Sequence, residues 1–181
     1  MFPDHTPESA PPAARPAMAA TAKKFGRVPS AVARLATSPE LLNGFLKLNA
    51  IFESTSLSAL DREVLVMTVA ARNGCHLCVA MHTATLYGLS ASPELVAALR
   101  AQSALPSPRL EALRVFVHAV MDTTGDVPAD VLTAFTDAGY TARNALEVVL
   151  GIGTYTLSTY ANRLTGAPVD EAFAAHAWHA A

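Results

Sequence analysis

A chain of 181 residues suits a single domain and is long enough to bury a core. Half of it is apolar (51%) and alanine is heavily used, which favours closely packed helices over sheets. The formal charge of -2, without a lysine or arginine cluster, leaves no electrostatic footprint for nucleic acid or for an anionic membrane surface.

Met1-Phe2-Pro3-Asp4-His5 lacks the basic start and apolar stretch of a signal peptide. Residues 1–20 are rich in Pro and Ala with almost no large apolar side chains, so they are expected to form a disordered or extended arm ahead of one helical domain, 21–181. Ser38-Pro39-Glu40 combines an N-cap, a first-turn proline and an early acid, and opens a helix through Leu41, Leu42, Phe45, Leu48 and Phe52. Ser58 caps the next, whose run Val64 to Ala71 is almost wholly apolar and predicts burial on most sides. Asn73-Gly74 stops it, and Cys75 begins a helix that runs to Tyr87-Gly88.

Ser92-Pro93-Glu94 repeats the start signature for a short helix through Leu99. Ser107-Pro108 opens another, Val127-Pro128 one that ends at Ala138-Gly139, and Thr141 a long one to about Arg163. No period-two alternation bounded by hairpin turns occurs, so the predicted fold is all-α. The apolar, uncharged stretch Val148 to Asn162 is shorter than a membrane span. A soluble, cytoplasmic protein is the expectation, and low charge with high apolar content suggests helix faces covered by other subunits.

In a reducing compartment a structural disulfide is not expected, so two cysteines three apart need a chemical explanation. Cys75, Cys78 and His82 fall at i, i+3 and i+7 and stack along one helix face. Two thiols one turn apart at a helix start can close a disulfide with little backbone movement, and the helix N-terminus favours a thiolate. His82 lies one turn beyond Cys78, placed to accept or return a proton. Glu63 shares a face with Val66, Met67 and Ala70, where a carboxylate needs a partner. A tight Asn-Gly turn makes the two helices antiparallel, which puts Glu63 beside His82 and makes a proton relay next to a thiol.

Other readings of these residues are weaker. Cys75, Cys78, His82 and Glu63 make four potential zinc ligands, but no second Cys/His pair supports a structural site. Haem attachment needs a histidine directly after the second cysteine, where Val79 stands. Neither a metal nor a cofactor is expected. His76 reads as solvent-facing, and His118 is given no role. Trp178 is expected to pack on a neighbouring helix or subunit, and Gly151 and Gly153 to permit close helix packing, within the chain or between subunits, or a helix break. The Tyr155, Tyr160 and Asn162 stripe could line a pocket, and core or interface packing is the preferred reading.

The string from Glu63 to His82 resembles the alkyl hydroperoxidase D-like group of the carboxymuconolactone decarboxylase superfamily. That motif is a Glu, twelve residues to a Cys, Cys-x-x-Cys, then a His four residues on, and Glu63, Cys75, Cys78 and His82 match it one for one. The likeness is strongest from Leu57 to Gly88 and reaches, more weakly, to Asn162-Arg163-Leu164. It implies an all-α fold assembled as trimers or hexamers. It also implies that Cys78 attacks a hydrogen peroxide or organic hydroperoxide substrate, that Cys75 converts the sulfenic acid to a disulfide, and that a cellular thiol or dithiol reduces it. The helix dipole alone favours Cys75 as the more acidic thiol; Cys78 is preferred because His82 and Glu63 serve it more directly. Studied members carry a histidine just before the second cysteine, where this chain has Leu77, and His76 is rotated about 100° from that place. Two rivals remain: a decarboxylase or lactone-processing enzyme, and a non-catalytic redox sensor whose dithiol switches assembly.

Overall fold

Residues 1–179 are described by a computed structural model. A 3-10 turn at Pro12–Ala14 precedes nine α-helices: α1 (Arg15–Phe25), α2 (Ser30–Leu35), α3 (Pro39–Glu53), α4 (Ala59–Arg72), α5 (His76–Gly88), α6 (Pro93–Arg100), α7 (Pro108–Asp122), α8 (Ala129–Asp137) and α9 (Ala142–Thr165). A second 3-10 turn, Glu171–His176, follows. Among the described residues there is no strand, and the fold is all-α.

The helix starts follow the local chemistry read from the sequence. Ser38, Ser58, Ser92, Ser107 and Thr141 each accept a hydrogen bond from the backbone N–H three residues on. Each such cap stabilises its helix by about 1 kcal/mol. Ser58 with Asp61 and Thr141 with Asn144 close reciprocal capping boxes. The α8 start has Pro128 at the cap and no side-chain acceptor.

Helix α4 is the axle. A run from Val64 to Ala71 without a polar face is stable only when surrounded, and ten of its fourteen residues are buried. It packs against α5, α6, α7 and α9, and the main hydrophobic core is built around it. A second apolar cluster joins α1, α2, α3 and Ala161 of α9.

Residues 1–20 depart from the expected arm. Ala10, Ala14 and Met18 are buried in the second cluster against Val32, Leu35, Leu42 and Ala161. Polar contacts fix the segment as well. Arg15 Nε donates to the Ala10 carbonyl at 3.0 Å, and Arg34 Nη1 donates to the carbonyls of Phe2 at 2.7 Å and Thr165 at 3.0 Å. Small side chains bury little area each, but they let helices approach closely enough for a few contacts and caps to hold them.

The C-terminal segment crosses α5. Trp178 Nε1 donates to the Arg100 carbonyl at 3.0 Å, while Arg100 returns hydrogen bonds to the carbonyls of His176 and Ala177. Trp178 therefore packs on neighbouring helices of its own chain. Along α9, Leu146, Val149, Tyr160 and Leu164 face outward. Among the described residues no helix is long and apolar enough to cross a membrane.

Candidate active site

The turn between α4 and α5 sets the site. Gly74 takes φ +65°, a conformation costly for residues with a Cβ, and so reverses the chain within two residues. Helix α9 holds that turn in place: Asn73 Nδ2 donates to Thr159 Oγ1 at 2.9 Å, and Arg163 Nη1 donates to the Asn73 carbonyl at 2.6 Å. Cys75 then stands at the N-cap of α5, where its Sγ accepts the Cys78 backbone N–H at 3.3 Å. A sulfur thus fills the position that serine fills in α3, α4, α6 and α7.

Cys75 and Cys78 are both buried and joined in a disulfide. One turn beyond Cys78 on the same helix, His82 meets Glu63 of α4, with Nδ1 and Oε2 2.8 Å apart. Both side chains are buried. An ionised Glu63 can only accept, which would assign the Nδ1 hydrogen to this contact and leave Nε2 of a neutral ring the lone pair that a base requires. The antiparallel turn read from Asn73-Gly74 therefore brings Glu63 to His82 as expected.

Helix α9 forms the opposite wall. The Tyr155 ring lies edge-on to the His82 ring, centroids 5.4 Å apart, and its hydroxyl donates to Asn49 Oδ1 at 2.8 Å. Burial, and next the Glu63 charge, push the Tyr155 hydroxyl well above the usual phenol range, so it stays neutral. Two turns further on, Asn162 Nδ2 donates to Cys78 Sγ at 3.4 Å. Tyr155 and Asn162, for which the sequence favours core or interface packing over a pocket, thus line the site itself. Their signal was polarity at seven-residue spacing inside an apolar helix.

Leu77 points into the core and His76 outward, so His76 does not occupy the place of the missing histidine. Its Nδ1 lies 2.9 Å from the Trp178 carbonyl and thereby ties α5 to the C-terminal segment. His118 sits on α7; burial, then Arg114 and Arg72, hold its imidazole below the usual histidine range. Among the described residues no three His, Cys, Asp or Glu side chains gather as metal ligands.

Residues 39–118 match the model of the carboxymuconolactone decarboxylase family. The fold is similar to a peroxidase-related protein with an alkylhydroperoxidase AhpD core from Ralstonia eutropha JMP134, at a TM-score of 0.83 and 22% identity over 95% of this chain and 93% of that one. A peroxidase-related protein from Silicibacter sp. TM1040 is similar at a TM-score of 0.77 and 20% identity, covering 95% and 91%. The debrominase Bmp8, solved as a cysteine variant with 2,3,4-tribromopyrrole, shares the fold at a TM-score of 0.74 and 13% identity, covering 97% and 95%. No curated protein matches in sequence.

Proposed function

We propose that this chain, whose residues 39–118 match the model of the carboxymuconolactone decarboxylase family, is a peroxidase-like thiol oxidoreductase that reduces hydrogen peroxide or organic hydroperoxides. The observation that carries the reading is one buried site holding a joined Cys75–Cys78 pair and, one helical turn away, a His82 imidazole oriented by Glu63. A decarboxylase would give that pair of sulfurs no task.

In the reduced enzyme His82 Nε2 takes the Cys78 thiol proton, and the Glu63 carboxylate stabilises the imidazolium that forms. The thiolate attacks the terminal oxygen of the hydroperoxide. An S–O bond forms and the O–O bond breaks. The leaving alkoxide takes the proton from His82 and departs as an alcohol, and Cys78 is left as a sulfenic acid. Cys75 attacks the Cys78 sulfur, the S–S bond closes and water leaves. A cellular dithiol, or two thiols, then supplies two electrons and two protons to reopen the disulfide. Such a cycle belongs in a reducing cytoplasm. Homo-oligomeric assembly is part of the same reading, with the outward Leu146, Val149, Tyr160 and Leu164 of α9 as its covered face.

Anaerobic titration of the reduced protein with one equivalent of cumene hydroperoxide tests this. Loss of two thiols per chain, with one equivalent of cumyl alcohol and no cross-linked dimer, is expected. Unchanged thiols overturn the reading.

A further inference from the structure

Among the described residues one buried side-chain oxygen or nitrogen has no hydrogen-bond partner: Asn162 Oδ1. An orphaned amide oxygen inside a protein carries an uncompensated desolvation penalty, so its presence calls for a reason. The other half of the same amide supplies one. Nδ2 donates to Cys78 Sγ at 3.4 Å and lies the same distance from Ser158 Oγ. Asn162 is only 4% exposed. Its flanking residues Thr159 and Arg163 clamp the Asn73–Gly74 turn, so the amide is held by the same contacts that position the cysteines.

We infer that Asn162 is a catalytic residue whose amide N–H donates to the Cys78 sulfur while its free Oδ1 accepts the O–H of the incoming hydroperoxide. The substrate contact rests on the peroxidase reading above; the sulfur contact rests on geometry alone. The two sulfurs then have separate supports. Cys75 receives the Cys78 backbone N–H at the helix start, and Cys78 receives the Asn162 side chain. A charge-assisted hydrogen bond to a thiolate favours the charged form, which offsets the advantage that the helix terminus gives Cys75. In the reaction the amide holds the thiolate and the peroxide hydroxyl together: Nδ2 stays on the sulfur as the S–O bond forms, and Oδ1 keeps the hydrogen of the transferred hydroxyl, which ends on the sulfenic acid. The O–O electron pair leaves with the alkoxide.

The experiment has a peroxide-free arm and a peroxide arm. In a Cys75→Ser background, the pH dependence of Cys78 alkylation by iodoacetamide is measured with Asn162 intact, with Asn162→Ala, and with Asn162→Asp, which keeps the side-chain size. The Cys78 pKa is expected to rise by about one unit with Asn162→Ala, the value of one hydrogen bond to a charged acceptor, and further with Asn162→Asp. The Cys75 pKa, read in a Cys78→Ser background, is expected to stay in place. A Cys78 profile that does not move, or two thiols that move together, overturns the sulfur contact.

In the dithiol protein, Asn162→Ala is expected to slow reaction with cumene hydroperoxide about tenfold at neutral pH. A severalfold defect is expected to persist where Cys78 is fully ionised. Recovery to the wild-type rate at that pH overturns the Oδ1 contact. If the unsubstituted protein ignores hydroperoxide at every pH, the peroxidase reading fails and takes the substrate contact with it, while the alkylation profiles still decide the sulfur contact.

Discussion

Glu63 and His82 lie nineteen residues apart on antiparallel helices, and their side chains meet at 2.8 Å with both almost sealed from solvent. A carboxylate in that position fixes the imidazole tautomer and steadies the ring when it takes a proton. Glu63→Gln keeps a hydrogen-bond acceptor and loses the charge, and is expected to slow peroxide reduction about a hundredfold; His82→Gln removes the base and is expected to cost about a thousandfold. Because the two act as a unit, the double variant should be no slower than His82→Gln alone. Stopped-flow rates for all three decide it, and losses that multiply in the double variant would break the relay assignment.

A second buried carboxylate serves the fold. Asp61 accepts Arg109 Nη1 at 2.7 Å and Nη2 at 3.0 Å, the Tyr140 hydroxyl at 2.9 Å and Ser58 Oγ at 2.7 Å, and the Arg109 guanidinium lies over the Tyr140 ring. Burial alone would push the Asp61 carboxyl up. The hydrogen bonds from Arg109, Ser58 and Tyr140 outweigh it and hold the group below its ordinary 3.8. With the folded value depressed, this stability is fully present above pH 3.8 and is lost as the pH falls through the folded value. Asp61→Asn is expected to destabilise by about 3 kcal/mol at pH 7, the low end for a buried pair because Arg109 can turn to water. Urea unfolding at pH 7 and pH 3 should show the gap between wild type and variant narrowing at the lower pH. A constant gap would mean that the charge is irrelevant.

How much of this the sequence announces depends on the range of the signal. Caps such as Ser38, Ser58 and Thr141 act within three residues, so the helix starts are legible. The Glu63–His82 pair is legible because one short turn makes its geometry almost inevitable. Residues 1–20 are not, because alanines pack by close approach to helices far along the chain and leave no periodic stripe. Asn162 is legible only as a member of a polar stripe, because its partner Cys78 is 84 residues away and an amide within a helix belongs to no local motif.

Two glycines of α9 that look alike in sequence should behave oppositely. A Cβ at Gly151 would meet Phe52 Cε2 at 2.6 Å and Leu65 Cδ2 at 2.8 Å, both on side chains with no exposure and no room to swing. The helix gain of Gly→Ala, about 1 kcal/mol, is then exceeded by overpacking of about 1–3 kcal/mol. At Gly153 a Cβ meets nothing within 4 Å. Gly151→Ala is expected to lower Tm and Gly153→Ala to raise it by about 2–4 °C. Thermal melts of the two variants check the pair, and a stabilised Gly151→Ala would refute the close contact of α9 with α3 and α4.

The proposed cycle requires a disulfide that is dispensable for folding, and the spacing of the two cysteines allows it. Cys75 and Cys78 are separated by three positions, so the bond closes a loop of only four residues. In the chain-entropy account that constrains the unfolded state by about 2 kcal/mol, against a usual domain stability of about 5–15 kcal/mol. Helix α5 has other anchors: Leu77, Val79, Ala80 and Leu86 are buried, and α9 clamps the Asn73–Gly74 turn through hydrogen bonds that do not involve the sulfurs. Reduction is therefore expected to lower Tm by about 4–8 °C while far-ultraviolet dichroism at 25 °C stays unchanged. Melts with and without a phosphine reductant measure it. Unfolding at 25 °C on reduction would make the bond a structural staple and leave no folded dithiol to react with a hydroperoxide.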